Sequence, residues 1–119
     1  MAKFDLTQIT TIDGFIAAAL VDSDSGLMLV GSQGSNINLE IAAAGNSEVI
    51  KAKRRVASAL KLNDGIEDIL ITLGKQYHII RPLERNPKFF LYVVLDRSRA
   101  NLAMARHELK TLEQKLSFA

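Results

Sequence analysis

Cysteine and tryptophan are absent from this 119-residue chain, and proline occurs only twice. Without cysteine there is no disulfide framework, no thiolate zinc site and no cysteine nucleophile. That absence fits a reducing cytosol. No apolar run approaches the roughly 20 residues that a membrane-spanning helix needs. The first residues, MAKFDLTQITTIDG, lack the apolar stretch of a secretory signal. The expectation is therefore a cytoplasmic protein without a membrane segment. No linker, repeat or low-complexity stretch divides residues 1–119, and this length suits one domain with a real core.

What the chain does have is a long amphipathic stretch, Leu39 to Leu60, LEIAAAGNSEVIKAKRRVASAL. Spaced at roughly 100° per residue, Glu40, Ser47, Glu48, Lys51, Arg54, Arg55 and Ser58 share one polar arc. Apolar residues fill the remainder, an arc of roughly 200° by the same spacing. A helix lying on one core needs little more than about 100°. The excess predicts two contacts, one with the helix's own sheet and one with a second subunit. Asn46 and Lys53 interrupt the apolar arc, and an Asn in such a seam often fixes register with a partner helix. We place Ala43, Asn46, Ile50, Lys53 and Ala57 at the pairing seam. The alternative is one wide core contact from which Asn46 and Lys53 snorkel outward.

The charge balance is nearly even, at +2, but five of the fifteen basic residues (Lys51, Lys53, Arg54, Arg55 and Lys61) lie close together. A local basic face suits an acidic partner surface better than a nucleic-acid track. Glu40 and Glu48 on the same arc lower its potential further. Glu40, Ser47, Lys51, Arg54, Arg55 and Ser58 are therefore the candidate partner-binding residues, with a solvated face as the plain alternative.

Along the chain, Asp5 to Ile12 reads as a weak first helix, with Leu6, Ile9 and Ile12 spaced by three and several threonines. Phe15 to Val21 is a short stretch apolar on both faces, as in a central strand. Ser23–Gly26 is a turn and Leu27 to Val30 returns as a strand. Gly31 to Asn36 is a polar loop, and Asn36 or Asn38 caps the long helix. Asn63-Asp64-Gly65 closes that helix. Ile66 to Leu73 and Gln76 to Leu83 form a hairpin with alternating faces, Ile69 and Ile71 pointing one way. Pro82 ends the pairing. Phe89 to Leu95 is the most apolar strand and the most central. Ser98 caps a last helix carrying Leu102, Ala105, Leu109, Leu112 and Leu116. The order α-β-β-α-β-β-β-α is that of an α+β layered domain.

No chemical signature survives inspection. Asp22-Ser23-Asp24 after an apolar strand resembles a phosphatase nucleophile loop. The next strand follows too quickly for a parallel sheet, and Asp, Ser and Gly are ordinary turn formers. A calcium loop would need glutamate where Gln33 stands. His78 and His107 have no metal-ligand spacing. No nucleophile elbow and no phosphate-binding loop is present. We expect no enzyme, metal or cofactor.

Three local patterns resemble the roadblock/dynein light-chain family in its bacterial, single-domain form. They are Ile12-Asp13-Gly14-Phe15 running into AAALVDSDSGL, the alanine-rich helix opening Glu40-Ile41-Ala42-Ala43, and Ala100-Asn101-Leu102-Ala103-Met104-Ala105-Arg106. With the element order, the resemblance covers nearly the whole chain. It implies a five-stranded antiparallel sheet with the long helix on one face and two terminal helices on the other. It also implies a homodimer through the long helix and the third strand, adding Ile69 and Ile71 to the seam. Members have no enzymatic activity of their own; they regulate small Ras-like GTPases or tether larger complexes. A nucleic-acid-binding dimer or a small-molecule sensing domain is the alternative.

Overall fold

Phe15–Asp22 (β1) and Phe89–Asp96 (β5) are apolar up to their closing aspartates because they occupy the middle of one sheet and are covered on both sides. In the computed structural model, which describes residues 5–33 and 37–116, they are joined by Met28–Gln33 (β2), Ile69–Thr72 (β3) and Gln76–Pro82 (β4). The five strands run antiparallel in the order β2-β1-β5-β4-β3, so β2 and β3 are the edges. Two helices complete the fold, Leu39–Ala59 (α1) and Leu102–Glu113 (α2).

Side chains alternate across a strand, so β1 and β5 feed two separate cores. Ala17, Ala19, Val21, Phe90, Tyr92 and Val94 face α1, where Leu39, Ala43 and Ile50 meet them. Ala18, Leu20, Leu91, Val93 and Leu95 face the other way, toward α2 (Ala105, Leu109, Leu112) and the N-terminal residues Leu6, Ile9 and Ile12. Each fully buried Leu, Ile, Val or Phe contributes about 1.5–3 kcal/mol. The long helix thus lies on one face and both terminal segments on the other, as the resemblance implied.

The first segment is a 3-10 turn, Thr7–Thr11, rather than an α-helix. A spacing of three is the 3-10 repeat, and it buries Leu6, Ile9 and Ile12 together. Thr10 Oγ1 and Thr11 Oγ1 donate to the carbonyls of Thr7 and Gln8 at 2.6 and 2.7 Å. Gly14 follows at φ +83°, and a Cβ there would stand 2.9 Å from the Asp96 carbonyl oxygen. Only glycine serves at this junction.

Several boundaries differ from those read in the sequence. β2 runs on to Gln33 because β1 offers ladder partners as far as Ala17; residues 34–36, including the alternative cap Asn36, lie outside the described residues. Asn38 caps α1, its Oδ1 accepting from Ile41 N at 3.1 Å. That helix ends at Ala59, before Asn63-Asp64-Gly65, because Lys61 turns left-handed at φ 58°. β3 shortens to four residues. Its continuation would oppose Pro82, which has no N–H to give, and Asp68 is instead held by Arg106 of α2 at 2.9 and 3.1 Å. Asn101, not Ser98, caps α2 by accepting from Met104 N at 3.1 Å. Ser98 is occupied elsewhere, donating to Asp96 Oδ1 through its N–H and hydroxyl.

Candidate functional site

α1 is the element with surface to offer. Its sheet-facing line is Leu39, Ala43, Ser47 and Ile50, all buried, spaced four, four and three apart as one helix face requires. Ala43 and Ile50 have no accessible surface at all. Two of the residues placed at the pairing seam are therefore committed to the chain's own sheet and have no area for a second copy. Asn46 is half-buried, with its side chain close to the Tyr92 hydroxyl. Ala57 is half-buried, and Lys53 is exposed. Ile69 and Ile71 point to the α1 side of the sheet and are only partly covered.

The apolar arc does carry a second surface, on the flank one step around the helix. Ile41, Val49 and Val56 are 71%, 37% and 47% exposed. Gly45 is exposed between Ile41 and Val49, and a Cβ added there would touch nothing within 4 Å. α1 packs over β1 and β2; at 100° per residue Val49 and Val56 lie roughly 120–140° around the helix from the sheet-facing line, and Ile41 and Gly45 lie nearly opposite it.

The polar residues divide. Ser47 is buried and donates to the Ala43 carbonyl at 2.7 Å. Arg54 is a structural strut: Nη2 donates to the Pro87 carbonyl at 2.6 Å, and Nη1 reaches Ser23 Oγ at 3.4 Å. Ser23 Oγ in turn donates to the Lys88 carbonyl at 2.6 Å. The helix is thereby tied to the β1–β2 turn and the β4–β5 loop together. Lys51 pairs with Glu48 at 3.1 Å on the surface, a contact worth little in water. Glu40, Arg55 and Ser58 are exposed. Arg54 and Ser58 also line an open groove of about 650 Å³ between the end of α1, residues 61–66 and Pro87. The six candidate partner-binding residues thus do not form one face.

The Asp22-Ser23-Asp24 segment is a turn. Asp22 Oδ1 accepts from the backbone N–H groups of Asp24 and Ser25 at 2.9 and 3.4 Å, and Gly26 adopts φ +76°. Its other oxygen lies 3.6 Å from Lys88 Nζ. Among the described residues no group of three or more histidine, aspartate or glutamate side chains converges on a point.

One polar group on the α1 face escaped the sequence reading. His78 Nε2 lies 2.9 Å from Gln76 Oε1, and His78 Nδ1 lies 3.0 Å from Tyr92 Oη. The rings meet edge to face. Burial holds the His78 imidazole below its ordinary pKa. Burial raises the Tyr92 hydroxyl, and the nearby Asn46 side chain partly offsets that. The period-two pattern placed His78 on this face, but nothing in the sequence paired it with Tyr92, fourteen residues on. His107 is exposed on α2.

No protein-family model and no curated protein matches this sequence. Solved structures do match, and they define the class: the chain has the roadblock fold. It is similar to the Roadblock/LC7 domain from Streptomyces avermitilis, with 15% identity, a TM-score of 0.79, and coverage of 92% of this chain and 88% of that one. It is similar also to Myxococcus xanthus MglB, with 15% identity, a TM-score of 0.76, and coverage of 95% and 94%. A further MglB, solved in a tetrameric arrangement, matches at 16% identity and a TM-score of 0.79, covering 92% of this chain and 80% of that one. No helix among the described residues is long and apolar enough to cross a membrane.

Proposed function

We propose that this chain acts by binding, as a homodimer that serves as a regulator or scaffold for a small Ras-like GTPase. The observation that carries the dimer is the exposed apolar flank of α1, on a sheet whose short strand β3 is an edge. Completing the burial of Ile41, Val49 and Val56 is worth part of about 1.5–3 kcal/mol each, doubled in a twofold contact. Association itself costs an estimated 4–15 kcal/mol or more. The flank alone therefore does not suffice, and pairing of β3 with its own copy is needed to reach micromolar affinity. The tetrameric MglB is an instance of self-association on this fold.

The GTPase assignment rests on the family resemblance of the three local patterns and on the fold shared with MglB. A non-enzymatic role agrees with the commitment of Asp22 to turn hydrogen bonds. The nucleic-acid alternative loses support because Arg54 is used internally and Lys51 is paired with Glu48. Sedimentation velocity at micromolar concentration tests the dimer: the wild type should be dimeric, and Val49→Asp/Val56→Asp should be a folded monomer. A monomeric wild type refutes the homodimer. The dimer is then offered a small Ras-like GTPase from the same genome, loaded with GDP or a GTP analogue. Capture that falls in Lys51→Glu/Arg55→Glu supports the basic surface, and capture equal to wild type leaves those residues as a solvated face.

A further inference from the structure

The hydrogen-bond chain Tyr92–His78–Gln76 lies on the α1 side of the sheet, reaching from β5 to β4. His78 stands opposite Ile71 of the edge strand β3 and opposite Val94 of β5. Ile69, Ile71 and His78 on this stretch of sheet stay partly exposed, while α1 packs over β1 and β2. The polarity of the chain is fixed. Gln76 Oε1 can only accept, so Nε2 carries the hydrogen; a neutral imidazole then accepts at Nδ1 from the Tyr92 hydroxyl.

We propose that His78 makes the homodimer acid-labile, because this chain is complete only with a neutral imidazole and the seam that covers it excludes the water a charged one needs. The inference rests on the dimer reading above. Protonation puts a hydrogen on Nδ1 and forces the Tyr92 hydroxyl hydrogen to seek another acceptor. Around the pair stand Ile71, Ile80 and Val94, which offer none, so a new acceptor would have to come from a turned Asn46 amide. In the separated chain His78 is half-exposed, and water solvates the charged imidazole. In the dimer that water is displaced, and a buried charge without a counter-charge is strongly disfavoured.

The surrounding charges do not rescue it. β1 and β3 present Ala17, Ala19, Ile69 and Ile71 on this side. β5 presents Tyr92 and, at its end, Asp96, whose Oδ1 is held by Ser98 at 3.0 and 2.8 Å. α1 contributes the exposed cation Lys53, and the β3–β4 turn contributes exposed Lys75. Among the described residues His78 enters no ion pair. The sign follows. Burial lowers the imidazole pKa already in the single chain, and the dimer lowers it further. The dimer therefore binds fewer protons than two separate chains, and acid favours separation. The limit is about tenfold in Kd per pH unit for each His78 protonated.

Sedimentation equilibrium at about pH 7.5 and about pH 5.5, on either side of the ~6.5 of an ordinary imidazole, tests this on wild type and His78→Gln. Glutamine keeps an acceptor for Tyr92 and does not titrate. The wild-type Kd should rise at the lower pH, by up to about tenfold per pH unit for each His78 protonated, and the His78→Gln Kd should change little. A wild-type Kd that does not move, or an equal rise in His78→Gln, overturns the proposal while leaving the dimer standing. A wild type already monomeric at the higher pH overturns both. Should His78→Gln fail to fold, the wild-type His78 ring is followed by NMR above and below the dimer Kd. Its midpoint should be lower in the dimer, and equal midpoints overturn the proposal.

Discussion

Replacing Glu113 with alanine should destabilise the fold far more than breaking any other ion pair in it. Glu113 is on the last turn of α2, and its Oε1 accepts from Arg81 Nη2 at 2.6 Å and Nε at 3.1 Å. Its Oε2 accepts from the backbone N–H of Glu84 at 3.1 Å. The two side chains are only 6% and 5% exposed. Such a pair offers little net stability over well-packed apolar residues, but removing one partner strands a buried charge at a cost of about 3–5 kcal/mol. For a domain of this size that is a fall in Tm on the order of 10–20 °C. Arg106–Asp68 is the internal control. There the arginine meets both carboxylate oxygens, but its side chain is 41% exposed, so Asp68→Asn should cost about 1 kcal/mol or less. Arg81→Met/Glu113→Leu should recover most of the loss, short of about 1 kcal/mol for the orphaned Glu84 N–H. Urea unfolding followed by circular dichroism reads all three. If Glu113→Ala costs no more than Asp68→Asn, the buried-charge reasoning is wrong.

Two further outcomes follow from α1. Gly45→Ala should raise the stability of the separated chain by about 0.5–1 kcal/mol through helix propensity, since its methyl meets nothing, yet weaken the dimer measured by sedimentation if helices approach closely there; a dimer of unchanged Kd removes Gly45 from the seam. Lys61→Gly should stabilise by up to about 1 kcal/mol, because Lys61 occupies the left-handed position after which Leu62 N donates to the Ala57 carbonyl at 3.1 Å; a loss on denaturant unfolding would show that the lysine side chain contributes more than its backbone strain.

The sheet was legible because its two central strands are covered on both faces and its hairpin strands alternate. Phe15–Asp22 and Phe89–Asp96 could only be central, and Ile69 against Leu70 divided as the two cores require. What misled were segments whose fate depends on distant partners. Ser98 has the chemistry of a cap, but Asp96 engages it first and Asn101 takes the role. Asp68, at the foot of an edge strand, is 11% exposed and clasped by Arg106, 38 residues away. The Leu6, Ile9, Ile12 spacing already held the 3-10 answer, since a repeat of three is not a repeat of 3.6.

The long helix shows how a chain's own contacts divide a wide apolar arc. Its apolar surface is too wide for one contact, and Ile41, Val49 and Val56 do remain exposed. Ala43 and Ile50, however, face the sheet and not the second contact, because the sheet-facing line also carries Ser47 and then Arg54. On a wheel those two polar residues pull the line toward solvent. In the structure each is satisfied locally, Ser47 by the carbonyl four residues back and Arg54 by Pro87 and Ser23. Burying a polar side chain is tolerable when its hydrogen bonds are made, and no wheel records hydrogen bonds. Once Ser47 and Arg54 are moved inward, the polar face contracts to Glu40, Glu48, Lys51, Arg55 and Ser58. The free apolar flank shifts to Ile41, Gly45, Val49 and Val56, and these residues are the ones on which the dimer should be tested.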